Sequence, residues 1–307
     1  MKSGFIVIDK PAGLTSHGCV AHVRRQLGGK GVKVGHSGTL DPMATGVLVI
    51  GVGKATRLLS WFEDTKTYQG TLRFGMVTST DDITGQVIEQ TPTVGLTLEQ
   101  VSQWQASFVG EIQQRPPMVS ALRQGGKRLY ELAREGKTVA IPEREVSVER
   151  ITVLGWRSEP FWELDVEIHC GGGTYIRSIA RDWGAKLGCG GTLAALRRTM
   201  SNGLHLKDAV CLAQVTADMP LLPLDIPFKT PRAVCGIAVT ISPKAVAGWF
   251  QGRGIVPEDV LETSQNCERP GDSDMVLVYS PAGQIVGVGA NCGVIVPRYV
   301  LKDDGDA

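Results

Sequence analysis

The segment His36-Ser37-Gly38-Thr39-Leu40-Asp41-Pro42-Met43-Ala44-Thr45-Gly46 holds the residues best suited to chemistry. Gly38 and Gly46 permit sharp backbone turns, and Pro42 fixes the chain just after a single carboxylate, Asp41. A carboxyl group with a reference pKa of about 3.9 is charged at neutral pH without tuning, so Asp41 could act as nucleophile or base. An isolated Asp-Pro step more commonly forms an Asx-type turn, its side chain bonding nearby N–H groups. Residue types alone leave both readings open.

Other chemistries lack their residues. Gly51-Val52-Gly53-Lys54-Ala55-Thr56 has two of three dinucleotide-binding glycines and no acidic ribose partner at the usual offset. No P-loop and no G-x-S-x-G elbow occur, and no D-x-D pattern of aspartyl phosphotransfer surrounds Asp41. His17 and His22 do not share a helix face, and five histidines form no ligand cluster, so neither metal nor cofactor is expected. Seven scattered cysteines without a C-x-x-C pair fit reduced thiols. No apolar run approaches the roughly 18 residues of a membrane span, and Phe5–Ile8 is too short for a signal core. The expected location is the cytoplasm, with no membrane partner.

The 307 residues are 42% hydrophobic and 21% charged, an ordinary globular composition of about two domains. The net charge of +1 hides a segregation. Residues 1–60 carry net +6 and residues 177–207 net +5, whereas residues 258–307 carry net −6. Screening limits electrostatic reach to roughly 8–10 Å, so a polyanion responds to the local basic segments rather than the sum.

Apolar patterning supplies the supporting elements. Residues 4–9 read as a buried strand, with Ser16 capping a helix to about Leu27 and a Gly-rich basic loop over 28–35. Residues 47–52 form a short apolar run, 54–62 have helical character, 67–74 alternate as a strand, and 98–108 read as a helix. Residues 126–136 suggest a short basic helix, 146–154 and 161–169 paired strands. Residues 174–187 give a helix with Ile176, Ile179, Ala180, Trp183 and Leu187 inward. Elements interleave without a βαβ rhythm, which predicts α+β with a mixed sheet. Pro220, Pro223, Pro227 and Pro231 mark a linker, giving domains at 1–230 and 231–307. The second holds short β-like runs at 237–241, 275–279, 285–288 and 294–296.

The His36–Gly46 segment closely resembles the catalytic loop of the TruB family of tRNA pseudouridine synthases, H-[T/S]-G-[T/A]-L-D-P-x-A-T-G. Asp9-Lys10-Pro11-Ala12-Gly13, Lys66-Thr67-Tyr68, the basic 126–136 segment, Gly173-Thr174-Tyr175-Ile176-Arg177 and Leu196-Arg197-Arg198 match further family motifs in order and spacing. The C-terminal region resembles, more loosely, a small β-rich PUA-like RNA-binding domain. Ser37 stands where Thr is common, Val119 where Tyr is frequent and Arg123 where Lys is frequent; none touches Asp41.

The resemblance implies isomerisation of uridine to pseudouridine at position 55 in the T-loop of tRNA, by a monomer needing no cofactor and no obligatory protein partner. Asp41 would attack ribose C1′ or the uracil ring, or open a glycal route as a base. Arg177 would pair with it. Tyr68 would stack on the base and serve in proton transfer, and Tyr175 and Leu196 would complete an apolar pocket. His36 would assist base flipping, which costs a few kcal/mol. Lys10 and Pro11 would shape the floor. Arg24, Arg25, Lys30, Lys33, Lys127, Arg128, Arg134, Arg197 and Arg198 are candidate contacts to the RNA backbone of the T-arm. Alternatives are a guide-RNA-dependent synthase acting on other RNA and a non-catalytic tRNA chaperone.

Overall fold

The computed structural model describes residues 2–93, 95–120, 122–135, 139–229, 235–265 and 274–302. The first strands are β1 (Gly4–Lys10), β2 (Val34–His36), β3 (Thr45–Val52), β4 (Thr65–Phe74), β5 (Met76–Thr78), β6 (Val87–Gln90) and β7 (Gly110–Gln114). They are followed by β8 (Arg123–Gln124), β9 (Lys127–Arg128), β10 (Arg144–Arg157), β11 (Glu163–Gly171), β12 (Gly191–Ser201), β13 (Leu204–His205) and β14 (Val210–Cys211). The last are β15 (Ile237–Ile241), β16 (Val260–Gln265), β17 (Met275–Tyr279), β18 (Ile285–Asn291) and β19 (Ile295–Val300). The α-helices are α1 (Ser16–Gln26), α2 (Leu98–Ser102), α3 (Leu129–Arg134), α4 (Ile176–Lys186) and α5 (Pro243–Phe250).

A mixed sheet runs in the order β14-β1-β3-β12-β4-β11-β10-β7, with β2 added to β3 and β13 to β12. Only the β1–β14 and β3–β12 pairings within it are parallel. A second sheet, β16-β15-β17-β18-β19, forms the C-terminal part. The fold is α+β, a mixed sheet with a separate β-rich unit. The proposed domain boundary falls in 230–234, outside the described residues.

The uninterrupted apolar runs of β1 and β3 follow from burial on both faces. Ile6, Ile8, Leu48 and Ile50 pack with Cys19, Val20 and Val23 of α1. Their alternates Phe5, Val7, Val47 and Val49 share a core with Phe228, Ala238, Leu277 and Val288. The C-terminal sheet thus covers apolar surface of the first. Strand β4 buries Lys66, Tyr68, Gly70, Leu72 and Phe74 on one face. Tyr68, Leu72 and Phe74 join a core that holds Ile176, Ile179, Ala180 and Trp183 of α4.

Several local readings need correction. Thr15, not Ser16, caps α1, its hydroxyl accepting the Gly18 N–H at 2.9 Å. The 54–62 stretch forms two 3-10 turns, Gly53–Arg57 and Leu59–Trp61. The 98–108 helix ends as α2 and resumes as a 3-10 turn, Gln105–Phe108. The Val101 carbonyl, which a continuing helix would offer to residue 105, instead accepts the Trp104 N–H and the Trp183 indole N–H, the latter at 3.0 Å. Within 126–136, β9 pairs back on β8, so the helix is reduced to α3; Gly125 and Gly126, both with positive φ, make the intervening turn. Helix α5 was not anticipated, although Ser242 at its N-cap and Pro243 at its first position carry the signal.

Candidate active site

Strands β2 and β3 pair antiparallel from Val34↔Val52 to His36↔Ile50, so residues 37–44 form the excursion between them. Four anchors fix this loop. The Leu40 N–H donates to the buried Ser16 hydroxyl at 2.8 Å, and that hydroxyl donates to the Leu40 carbonyl at 3.2 Å. Lys10, fully buried, donates from Nζ to the carbonyls of Leu14 (2.7 Å), Pro11 (2.9 Å) and Pro42 (3.3 Å). The Gly13 N–H adds a bond to Pro42 O at 2.8 Å. Arg198 donates from Nε to Val47 O at 2.7 Å and from Nη2 to Gly38 O at 3.2 Å. Gly46, at φ +106°, lets β3 meet β12 closely: a Cβ there would lie 2.1 Å from the Arg198 carbonyl oxygen.

The turn after Asp41 is closed by backbone, Ala44 N–H to Asp41 O at 3.1 Å. The Asp41 side chain is therefore free for another task, and its partner is Arg177 on the first turn of α4. Arg177 Nη2 donates to Asp41 Oδ1 at 2.9 Å, and Nε lies 2.9 Å from Oδ2. The guanidinium is itself held by Thr80 O (2.9 Å) and Val119 O (3.0 Å), with Asp82 Oδ2 at 3.6 Å from Nη1. The start of α4 is fixed by buried Gln114, which accepts the Tyr175 N–H at 2.8 Å and donates to Tyr175 O at 3.0 Å. Burial pushes the Asp41 carboxyl above its ordinary value; Arg177 opposes that shift and Asp82 adds to it. Burial and the paired cation thus act on the carboxylate in opposite directions.

Asp41 and Arg177 lie in a cleft of about 360 Å³ walled by Tyr68, Tyr175, Ile176 and Leu196. The size lies within the range of small-ligand sites. Burial raises the pKa of Tyr68, with Arg198 opposing, and that of Tyr175, with the neighbouring Ser120 and Arg177 opposing. Lys66, whose side chain is 9% exposed, also lines the cleft and pairs with Asp64 at its rim.

Five of the sequence-selected residues, Asp41, Tyr68, Tyr175, Arg177 and Leu196, therefore converge. His36 stands where the loop leaves β2, its Nδ1 accepting the Gly38 N–H at 3.2 Å, and burial lowers its pKa. Lys10 lies beneath the loop rather than on the cleft wall, and Pro11 is exposed on the outer turn. The proposed RNA-backbone set divides. Arg198 is 1% exposed and cannot offer a surface cation, because its position on β12 directs it under the loop. Arg197 is committed to Asp9 (2.7 and 3.2 Å) and Thr45, and Arg24 to the Val34 carbonyl. Arg25, Lys30 and Lys33 are exposed. The side chains of Lys127, Arg128 and Arg134 lie outside the described part.

Sequence reasoning missed Ser16 as a loop anchor, Asp82 and Gln114, and gave Lys66, although quoted in a motif, no role. Lys66 had a signal, since it stands two residues before Tyr68 and a strand places both on one face. Asp82 and Gln114 act through long-range contacts and had none.

A family model, the N-terminal domain of TruB family pseudouridylate synthases, matches residues 24–176. The tRNA pseudouridine synthase B of Synechococcus sp. (strain PCC 6301) is 47% identical over 97% of this chain and 98% of that protein. The protein of the same name from Gloeothece citriformis is 46% identical over 97% of each. Among solved structures, a chain of an H/ACA RNP bound to a substrate RNA containing 2′-deoxyuridine superposes with TM-score 0.70 at 21% identity. It covers 98% of this chain and 85% of its own length. A Cbf5-Nop10-Gar1 complex gives 0.68 at 23%, covering 98% and 84%. These two show the shared fold. The motif order, the Asp41–Arg177 pair in its walled cleft and the near-full-length relatives agree: the chain belongs to the TruB family of pseudouridylate synthases and is an isomerase.

Proposed function

We propose that this enzyme converts uridine to pseudouridine at position 55 in the T-loop of tRNA, with Asp41 as the catalytic carboxylate. The observation that carries the reading is the Asp41 side chain itself: its turn is closed by backbone, and its oxygens face Arg177 within an aromatic-walled cleft. The relatives named tRNA pseudouridine synthase B at 46–47% identity support tRNA as the substrate.

The reaction breaks the bond from ribose C1′ to N1 of uracil, rotates the base and forms a bond from C1′ to C5. The C5 proton leaves and N1 gains one, so nothing is oxidised or hydrolysed. Asp41 attacks C1′ or the ring, or removes a ribose proton in a glycal route. Arg177 holds the carboxylate in one rotamer and favours its charged form. Tyr68 stacks on the flipped base and takes part in proton transfer; Tyr175 and Leu196 exclude water around it. His36 acts in flipping the base, and Lys10 and Pro11 shape the loop from below. Arg25, Lys30 and Lys33, with Lys127, Arg128 and Arg134, contact the RNA backbone. The two-domain division at 1–230 and 231–307, a monomeric state, independence from protein partners and a cytoplasmic location belong to the same reading.

The guide-dependent alternative has a likeness at 21–23% identity behind it, against 46–47% for the tRNA enzymes. The test is to incubate purified protein with unmodified tRNA and no other RNA, then map pseudouridine by carbodiimide derivatisation and primer extension. A single new stop at the T-loop uridine is expected. No product on bare tRNA, with tRNA binding retained, would leave the guided enzyme or the chaperone.

A further inference from the structure

A second cleft, of about 280 Å³, lies where the first sheet meets the C-terminal one. Its walls come from the segment before β2, the 3-10 turn after β3 and the end of β19. They carry three exposed cations, Lys33, Arg57 and Lys302, beside Lys54, which has a partner of its own, and no carboxylate among the described lining residues. Lys33, Arg57 and Lys302 are exposed, and none forms an ion pair among the described residues. The Arg57 guanidinium lies 6.0 Å from the centre of the Tyr299 ring. The Tyr299 hydroxyl is buried and has no hydrogen-bond partner among the described residues. A buried donor without a partner is unfavourable, and cations lining the same cleft favour an anion as that partner.

The position connects this cleft to the catalytic one. The Gly53 N–H donates to the Lys33 carbonyl at 2.8 Å, which joins the two basic turns. Strand β2 begins immediately after Lys33 and ends at His36, and the next residue, Ser37, lines the catalytic cleft. At roughly 3.3 Å per residue, Lys33 and Ser37 are about 13 Å apart. A nucleic-acid strand rising ~3.4 Å per nucleotide crosses that span in about four nucleotides.

We propose that the cleft is an oxyanion site that takes a backbone phosphodiester of the RNA whose base enters the catalytic cleft, with Lys33, Arg57 and Lys302 supplying charge and Tyr299 a hydroxyl donor. The C-terminal sheet then contributes directly to RNA binding, although the net charge of its sequence is negative. The proposal rests on RNA being the substrate class.

The test compares the Arg57→Gln/Lys302→Gln variant with Lys207→Gln/Lys244→Gln, which loses the same charge at exposed positions outside the cleft. Dissociation constants for unmodified tRNA are measured from 50 to 300 mM salt, with melting curves as the folding control. Losing the contact to one phosphodiester should flatten the log–log salt dependence by about 0.7–0.9 and weaken binding roughly five- to eightfold near 0.1 M. The control pair should keep the wild-type slope. Tyr299→Phe should weaken binding a few-fold without changing the slope. Equal slopes for the two doubles would overturn the proposal. Inorganic phosphate, titrated by phosphorus NMR, separates the sources: phosphate binding lost in the Arg57/Lys302 variant, with equal RNA slopes, assigns the site to a free anion and overturns the RNA assignment. Pseudouridine formation with equal slopes removes only this site. A slope change without pseudouridine removes only the activity reading.

Discussion

The two clefts solve opposite electrostatic problems. In the Asp41 cleft the charges are paired and largely withdrawn from water: half-buried Asp41 with buried Arg177, and Arg177 with two carbonyls and a nearby Asp82. In the second cleft three cations stand exposed beside an unpartnered hydroxyl. Buried pairing fixes geometry and shifts pKa values, so disturbing it should change the rate of chemistry. Exposed unpaired cations are screened by salt, so disturbing them should change affinity and its salt dependence. The comparison breaks if catalytic-cleft variants act mainly on salt slope, or second-cleft variants mainly on rate.

The largest effect is expected from Asp41→Asn. It keeps the shape and removes the charge, and the single-turnover rate should fall by roughly 10⁴ or more, with tRNA affinity within about threefold of wild type. Arg177→Lys follows, with a loss of about 10²–10³ in rate, because an ammonium cannot reproduce the two-point contact. It should also move the acid limb of the pH–rate profile. Burial has raised the Asp41 pKa above 3.8, and Arg177 is the strongest force holding it down. Protonation removes the reactive carboxylate, so activity falls as pH drops through that pKa. A less well-placed cation lets the pKa rise further, and the limb should shift to higher pH; a shift to lower pH would contradict the assigned roles.

Gly46→Ala sharpens the comparison from the side of the scaffold. Its Cβ would collide with the Arg198 backbone, and its φ of +106° disfavours a side chain. A stability loss of about 2 kcal/mol or more is expected in denaturant titration, together with a slower reaction because β3 carries the loop's far end. The smallest effect is expected for Gln114→Leu. It removes the two bonds that seat Tyr175 at the head of α4 and should lower the rate about three- to thirtyfold, leaving the salt slope of binding unchanged.

Much of the Asp41 cleft was legible because its motifs are local. The 36–46 loop, Tyr68 on an alternating strand and Arg177 at the head of a periodic helix each sit within one element. What closes the site was not legible. Asp82 reaches Arg177 from a loop 95 positions away in the chain, and Gln114 meets Tyr175 across 61. Basic character also misled at Arg198, read as a surface cation, because β12 crosses the middle of the sheet and directs it to the Val47 and Gly38 carbonyls; Arg197, 40% exposed, pairs with Asp9. The second cleft was invisible for a related reason. Lys33 was read as a single RNA contact and Gly53-Lys54 dismissed as part of a weak glycine motif, and only the C-terminal sheet brings Lys302 and Tyr299 beside them. The two-sided burial of β1 and β3 was written plainly in their unbroken apolar runs, but which surface would cover each face was not.

The most direct test of the central claim is tritium release from 5-tritiated uridine in unmodified tRNA under single-turnover conditions, comparing wild type with Asp41→Asn. Forming a bond at C5 expels the label as water, so wild type should release one equivalent per T-loop uridine, while folded, tRNA-binding Asp41→Asn releases none above background. Release by Asp41→Asn at a rate near that of wild type would show that the carboxylate held by Arg177 is not the group that carries the reaction.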